Sequence, residues 1–128
     1  MDVMELRRGL MGGIVPFKNL IDKNAVSNGY VKKADGQIEI VSWYMCTDYI
    51  RCDGKTNVYT RNTTLSSSTL RGVCYYDANQ NFIGSIIQDV DDAIYKSYSI
   101  PSMAKYFRIN VSPSLIDLAV ASFAIDGL

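Results

Sequence analysis

The stretch from Tyr75 to Gly84, Y-Y-D-A-N-Q-N-F-I-G, constrains this chain more than any other. It reads as strand, tight polar turn, strand. A β-branched and aromatic arm leads in from Leu70, and a second leads out to Ile87. Between them, D-A-N-Q-N supplies short polar side chains that bond back to their own backbone and tolerate turn geometry. A hairpin of this kind joins antiparallel strands, so the sequence predicts one over 69–77 and 81–88.

The same theme runs along the chain. Residues 14–29 are rich in Asn, Asp and Ser and read as a loop with one short extended piece. Strands begin at Gly29–Lys33, and Asp35-Gly36 is a strong hairpin signal. Residues 37–45 alternate, with Ile38, Ile40, Ser42 and Tyr44 on one face and Glu39, Val41, Trp43 and Met45 on the other. A short strand at Tyr49–Cys52 is closed by Asp53-Gly54, and another spans Thr56–Arg61. The segment 62–68, N-T-T-L-S-S-S, is expected to be an exposed polar loop. Residues 93–100 read as a strand or an irregular crossing, ended by Pro101, which offers no N–H to a ladder. In 104–111, Phe107, Ile109 and Val111 alternate against Tyr106, Arg108 and Asn110. Pro113 interrupts again, and Leu118–Ile125 reads as a last buried strand. About eight or nine short strands with regular turn signals are the pattern of an antiparallel β-sandwich or barrel. A chain of 128 residues has room for one such core.

The N-terminus carries a different signal. Asp2 and Glu5 have capping-box spacing, Val3, Leu6 and Leu10 share a helical face, and Gly9, Gly12 and Gly13 end the pattern. Residues 1–18 are therefore expected to form a short helix and linker, and 19–128 the β domain. A helix that short is marginal alone and must dock on its own domain or on another subunit. Arg7-Arg8 followed by an apolar stretch superficially suggests a signal peptide, but the stretch is short and acidic residues precede it. No apolar run approaches the length of a membrane span.

Composition narrows function mainly by exclusion. Thirteen basic residues balance thirteen acidic ones, which removes the broad electrostatic case for nucleic acid. Histidine is absent, so His-based acid–base catalysis and His-ligated metal are excluded within the chain. No phosphate loop, Cys pair motif or dinucleotide fingerprint occurs. Cys46, Cys52 and Cys74 cannot all pair internally; three packed thiols or one Cys46–Cys52 bridge both fit. Asp77-x-Asn79-x-Asn81 opens like an EF-hand, but Phe82 and Gln88 stand where Gly and Glu are required. The motif is expected to be a solvated turn, with a looser calcium site over the turn or over Asp89, Asp91 and Asp92 as the alternative. No metal and no cofactor is assigned.

The order N-L-I-D-K-N, G-Y, W-x-x-x-T-D-Y-I, V-Y-T, C-Y-Y-D-A-N-Q-N-F-I-G and I-P-x-x-A-K-Y-F-R-I-N covers about three quarters of the chain. It resembles a jelly-roll module of tail, baseplate and fibre proteins from phages of gut bacteria, and of surface proteins of those bacteria. That module is similar to galactose-binding-like, carbohydrate-binding sandwiches. The resemblance implies a non-catalytic role in binding cell-surface glycan or in adhesion, on a virion or a bacterial surface. The alternative is a purely structural assembly subunit without a small-molecule ligand. The matching motifs are strand and turn text, so no sugar-contacting residue is carried over from them.

Candidate binding residues are drawn from the sequence itself. Sugar sites combine flat aromatic rings with a few placed polar groups. Trp43 and Tyr44, with Asp48 nearby, are the first candidates, and Tyr59, Arg61, Arg71, Tyr95 and Tyr98 would complete such a face. The competing reading of Trp43 is a core residue between sheets. Arg51, Arg71, Lys105 and Arg108 would form a cationic strip for an acidic glycan, or else are scattered charges whose stems cover sheet edges. Weak sites of this kind gain from multivalency, so a homo-oligomer is expected, with the N-terminal helix and the tail Leu118–Leu128 at its interface.

Overall fold

The computed structural model describes residues 18–63, 72–86 and 95–123. These are built from β1 (Val26–Asn28), β2 (Tyr30–Val31), β3 (Ile38–Glu39), β4 (Met45–Thr47), β5 (Ile50–Arg51), β6 (Asn57–Arg61), β7 (Val73–Tyr76), β8 (Phe82–Ile86), β9 (Lys96–Ser99), β10 (Tyr106–Val111) and β11 (Val120–Ser122), with one 3₁₀ turn at Pro113–Leu115. The all-β, antiparallel class read from the sequence is what the molecule adopts. The expected N-terminal helix and the acidic turn at 89–92 lie outside the described residues.

The strands form a six-stranded sheet in the order β1-β4-β10-β7-β8, with β5 also on β10, a three-stranded sheet β11-β6-β9, and the two-stranded β2-β3 hairpin. Every pairing is antiparallel. β10 is the organising strand. One edge pairs with β7 from Tyr106 to Ile109. The other is shared by β5, opposite Tyr106 and Phe107, and β4, opposite Asn110 and Val111.

Period-two alternation divides this sheet into two unlike faces. Val73, Tyr75, Phe107, Ile109 and Val111 point one way and share a core with Val58, Tyr98, Ala119 and Ala121 from the three-stranded sheet and its approach. Tyr75 spans the two sheets and donates its hydroxyl to Ser99 O at 3.0 Å. Burying that many large apolar side chains, each contributing about 1.5–3 kcal/mol, is the main favourable term. On the opposite face, Cys46, Cys74 and Tyr76 pack with Val31 under the β2-β3 hairpin.

Three local readings are corrected. Residues 37–45 are not one strand, because β3 serves the hairpin and β4 serves the main sheet. The chain turns between them, where Tyr44 O accepts from Gly29 N at 2.8 Å. The polar stretch after β6 does not begin exposed: Asn62 and Thr63 are buried, and Thr63 O accepts from Ser112 N. The last strand is shorter than expected, and Leu118, before it, is exposed. The hairpin at Asp77 forms as expected. Its carboxylate accepts the N–H groups of Asn79 and Asn81, both at 2.9 Å, so one oxygen of the calcium-like pattern, Asp77 Oδ1, is engaged by its own turn. These hydrogen bonds hold the Asp77 carboxyl below the ordinary Asp range.

All three cysteines are buried free thiols. Cys46 and Cys74 lie under the hairpin and Cys52 lies in the main core, so the Cys46–Cys52 bridge does not form. Burial pushes the Cys52 and Cys74 thiols up to about 11.

Candidate functional site

The face beneath the β2-β3 hairpin carries polar residues where a buried sheet face ordinarily carries aliphatic ones. On β10 these are Arg108 and Asn110, both buried. Asn110 is spent on structure. Its Oδ1 accepts from Val31 N at 2.7 Å, and its Nδ2 donates to Val31 O at 3.1 Å. The side-chain amide thus replaces a strand partner and fixes the hairpin over the sheet. Gly36 ends this tether. Its φ is 71°, in the left-handed region, and an added Cβ would meet Phe82 Cδ1 at 2.5 Å. Its carbonyl accepts from the Tyr76 hydroxyl at 2.8 Å.

Arg108 sits one pleat along, where the other edge of β10 lacks a strand between β4 and β5. Thr47 fills that gap: its Oγ1 accepts from Ile109 N at 3.1 Å, and its carbonyl accepts from Arg108 Nε at 3.0 Å. The guanidinium lies over the Tyr49 ring, 4.5 Å from its centroid, a favourable cation–π geometry. Burial pushes the nearby Tyr76 phenol above its ordinary range, while the Arg108 charge acts the other way. Arg108 is 8% exposed. Among the described residues the ion pairs are Lys23–Asp117, Lys32–Asp35 and Arg51–Asp53, so no carboxylate there neutralises it.

These groups line a cleft of about 320 Å³. Arg108 and Tyr76 contribute from the sheet, and Tyr49 from the link between β4 and β5. Phe82, Gln80 and Asn81 come from the β7-β8 hairpin, and the segment 35–38 from the β2-β3 turn. Tyr49 stands edge-on to Tyr76, ring centroids 4.9 Å apart, and Tyr76 edge-on to Phe82 at 6.2 Å. The cleft therefore combines aromatic walls, a buried cation and the exposed amides Gln37, Gln80 and Asn81. The one carboxylate among its described lining residues, Asp35, is tied to its own turn: it accepts from Gln37 N at 2.9 Å and pairs with Lys32 at 3.6 Å.

The candidates named from the sequence are not gathered in one place. Trp43 is 62% exposed, so it is not a core residue; its ring lies 6.2 Å from Tyr30. Tyr44, next to it, is buried, with its hydroxyl 3.2 Å from Ser112 Oγ. Asp48 is exposed and accepts from Tyr49 N at 2.7 Å. Tyr59 and Arg61 lie two apart on β6, half-buried, and the Arg61 guanidinium is 5.1 Å from the Tyr95 ring. Tyr98 is buried in the core opposite Val58. Arg71 lies outside the described residues. Of the cationic strip, Arg51 is exposed and paired to Asp53 at 2.8 Å, whereas Arg108 is interior.

Tyr49, Tyr76, Phe82 and the amides were not singled out from the sequence. The available signal was Tyr106-x-Arg108-x-Asn110, a polar row at strand period opposite an apolar row, which marks a face with its own cover. Among the described residues no three His, Cys, Asp or Glu side chains converge as a metal site, and no helix is long and apolar enough to cross a membrane. In comparisons with known proteins, the chain matches no family model, no curated protein and no solved structure.

Proposed function

We propose that this chain is a non-catalytic glycan-binding or adhesion module and that the cleft over Arg108 is its ligand seat. The observation that carries the reading is the composition of that cleft: aromatic walls, exposed amides at the rim and one buried guanidinium, in a volume that suits one sugar residue. Sugar rings offer C–H faces to aromatic walls and hydroxyls to amides, and this cleft supplies both. Support for a binding rather than a catalytic role comes from its titratable groups. Glycoside hydrolysis needs two facing carboxylates, and the described residues of the cleft include one, engaged in its own turn.

The two antiparallel sheets with a common core support a jelly-roll, galactose-binding-like sandwich as the finer description of the fold. The resemblance of the sequence to phage tail and bacterial surface modules supports a place on a virion or cell surface, with weak single sites multiplied by a homo-oligomer. A glycan array followed by amide chemical-shift titration tests the reading. Hits should shift Gln37, Tyr49, Asn81 and Phe82 together. An array without hits, or hits that shift residues elsewhere, would reject it.

A second reading, a purely structural assembly subunit, is favoured by one observation: Ile40 at 80% and Trp43 at 62% are large apolar residues exposed within one short loop. Light scattering on Trp43→Ser against the natural chain distinguishes it. A stable oligomer dissociated by that change, with no array hit, is the outcome for assembly alone.

A further inference from the structure

We infer that the ligand of the Arg108 cleft is an acidic sugar, a residue that carries a carboxylate; the inference rests on the sugar-binding reading above and names its substrate class. Arg108 is more than nine-tenths buried, and a buried cation without a counter-charge is costly. Its neighbours offset that cost only in part. Thr47 O is a neutral acceptor for one of the five guanidinium N–H groups, and the Tyr49 ring covers one face. No carboxylate among the described residues reaches it. Asp35, the one acid among the described residues lining the cleft, is paired with Lys32 on the rim.

The remaining N–H groups belong to a planar fork whose geometry matches the two oxygens of a carboxylate. The positions of Thr47 and Tyr49 hold that fork in place before any ligand arrives, so little ordering is lost on binding. Arg108 is the one cation among the described residues lining the cleft, which matches a monoanion. A phosphate or sulfate ester would call for more cations or a run of backbone N–H groups, and the described residues of the cleft show neither. A volume of about 320 Å³ admits a single ring with its carboxylate toward the floor and its hydroxyls toward Gln37 and Asn81. A neutral sugar would leave the guanidinium desolvated and unpaired, so the same groups discriminate against it.

The test uses the full chain and calorimetric or NMR titration with three matched probes: a glucuronate-terminated oligosaccharide, the same oligosaccharide ending in glucose, and its methyl uronate. The acid should bind roughly 10- to 100-fold tighter than either neutral form. Arg108→Lys should lose most of that preference while keeping the charge, because an ammonium lacks the fork. If Arg108→Lys fails to fold, Gln37→Ala at the exposed rim serves instead. It should weaken acid and neutral probes alike and leave their ratio unchanged. Equal binding of acid and neutral probes would overturn the acidic assignment and leave the sugar reading standing. Absence of binding by any probe, together with a blank array, would overturn both. Displacement of the acid by inorganic phosphate at equal concentration would overturn the carboxylate assignment alone.

Discussion

Asn110 and Val31 are 79 residues apart in sequence and exchange two hydrogen bonds, side-chain amide to main chain, in the interior. This pair fixes how high the β2-β3 hairpin rides above the main sheet, and thus the wall of the cleft over Arg108.

Replacing Asn110 with Ala should leave a buried N–H and a buried carbonyl unpaired, at about 1–3 kcal/mol each. The expected loss is roughly 2–5 kcal/mol by denaturant unfolding, with faster exchange of the Val31 amide than of amides in β7. A loss under about 0.5 kcal/mol would show that the hairpin is held by its apolar contacts instead.

Two glycines separate conformational strain from steric exclusion. Gly36 and Gly54 both have left-handed φ, 71° and 79°. A Cβ on Gly54 meets nothing within 4 Å, whereas one on Gly36 meets the Phe82 ring. Gly54→Ala should therefore cost about 1 kcal/mol, the strain alone. Gly36→Ala should cost about 1–3 kcal/mol more and should also perturb the Phe82 resonances. Equal costs would contradict the close approach of the hairpin to Phe82.

The thiols give a pH dependence of definite sign. Cys52 and Cys74 ionise at about 11 in the folded chain, against an ordinary value of 9.0, because burial disfavours the thiolate. The unfolded chain releases these protons first as pH rises. The stabilisation is therefore complete below pH 9 and is lost between pH 9 and 11. Thermal unfolding should show a falling midpoint over that window, reduced in Cys52→Ser or Cys74→Ala once each variant is compared with its own value at pH 7. All three thiols should resist a disulfide reagent at pH 8 until the chain is unfolded.

Asp77 is expected to act as a turn acceptor and not as a metal ligand. Asp77→Asn retains an oxygen for the Asn79 and Asn81 amides and should keep most of the stability, while Asp77→Ala should lower the melting temperature. Calcium at millimolar concentration should leave all three melting curves in place. The carboxyl is held low in the folded chain, so its contribution is present above the ordinary Asp pKa and fades as pH falls through the folded value.

Sugar contact should follow the cleft and not the most exposed aromatic ring. Tyr49→Ala should weaken binding by 1–2 kcal/mol, on the order of one lost stacking or cation–π contact, whereas Trp43→Ala should leave it unchanged. The reverse result would place the ligand on the loop at 40–43.

What the sequence determined by itself is local. Alternation, Asp-Gly at 35–36 and 53–54, the Asp77 turn and the proline breaks each act over a few residues, and they specified an antiparallel β chain with most of its hairpins in place. What the alternation did not determine was the cover on each face. A strand such as Tyr106–Val111 has two faces with the same period, and what lies over the polar one depends on a hairpin almost eighty residues away. Tertiary structure therefore decided that Tyr44 and Tyr98 turn inward while Trp43 stays out, that Asn62 and Thr63 are buried, and that Arg108 becomes the floor of a cleft. The physical reason is that burial is a property of packed layers, and a single strand carries only half of the information that defines a layer.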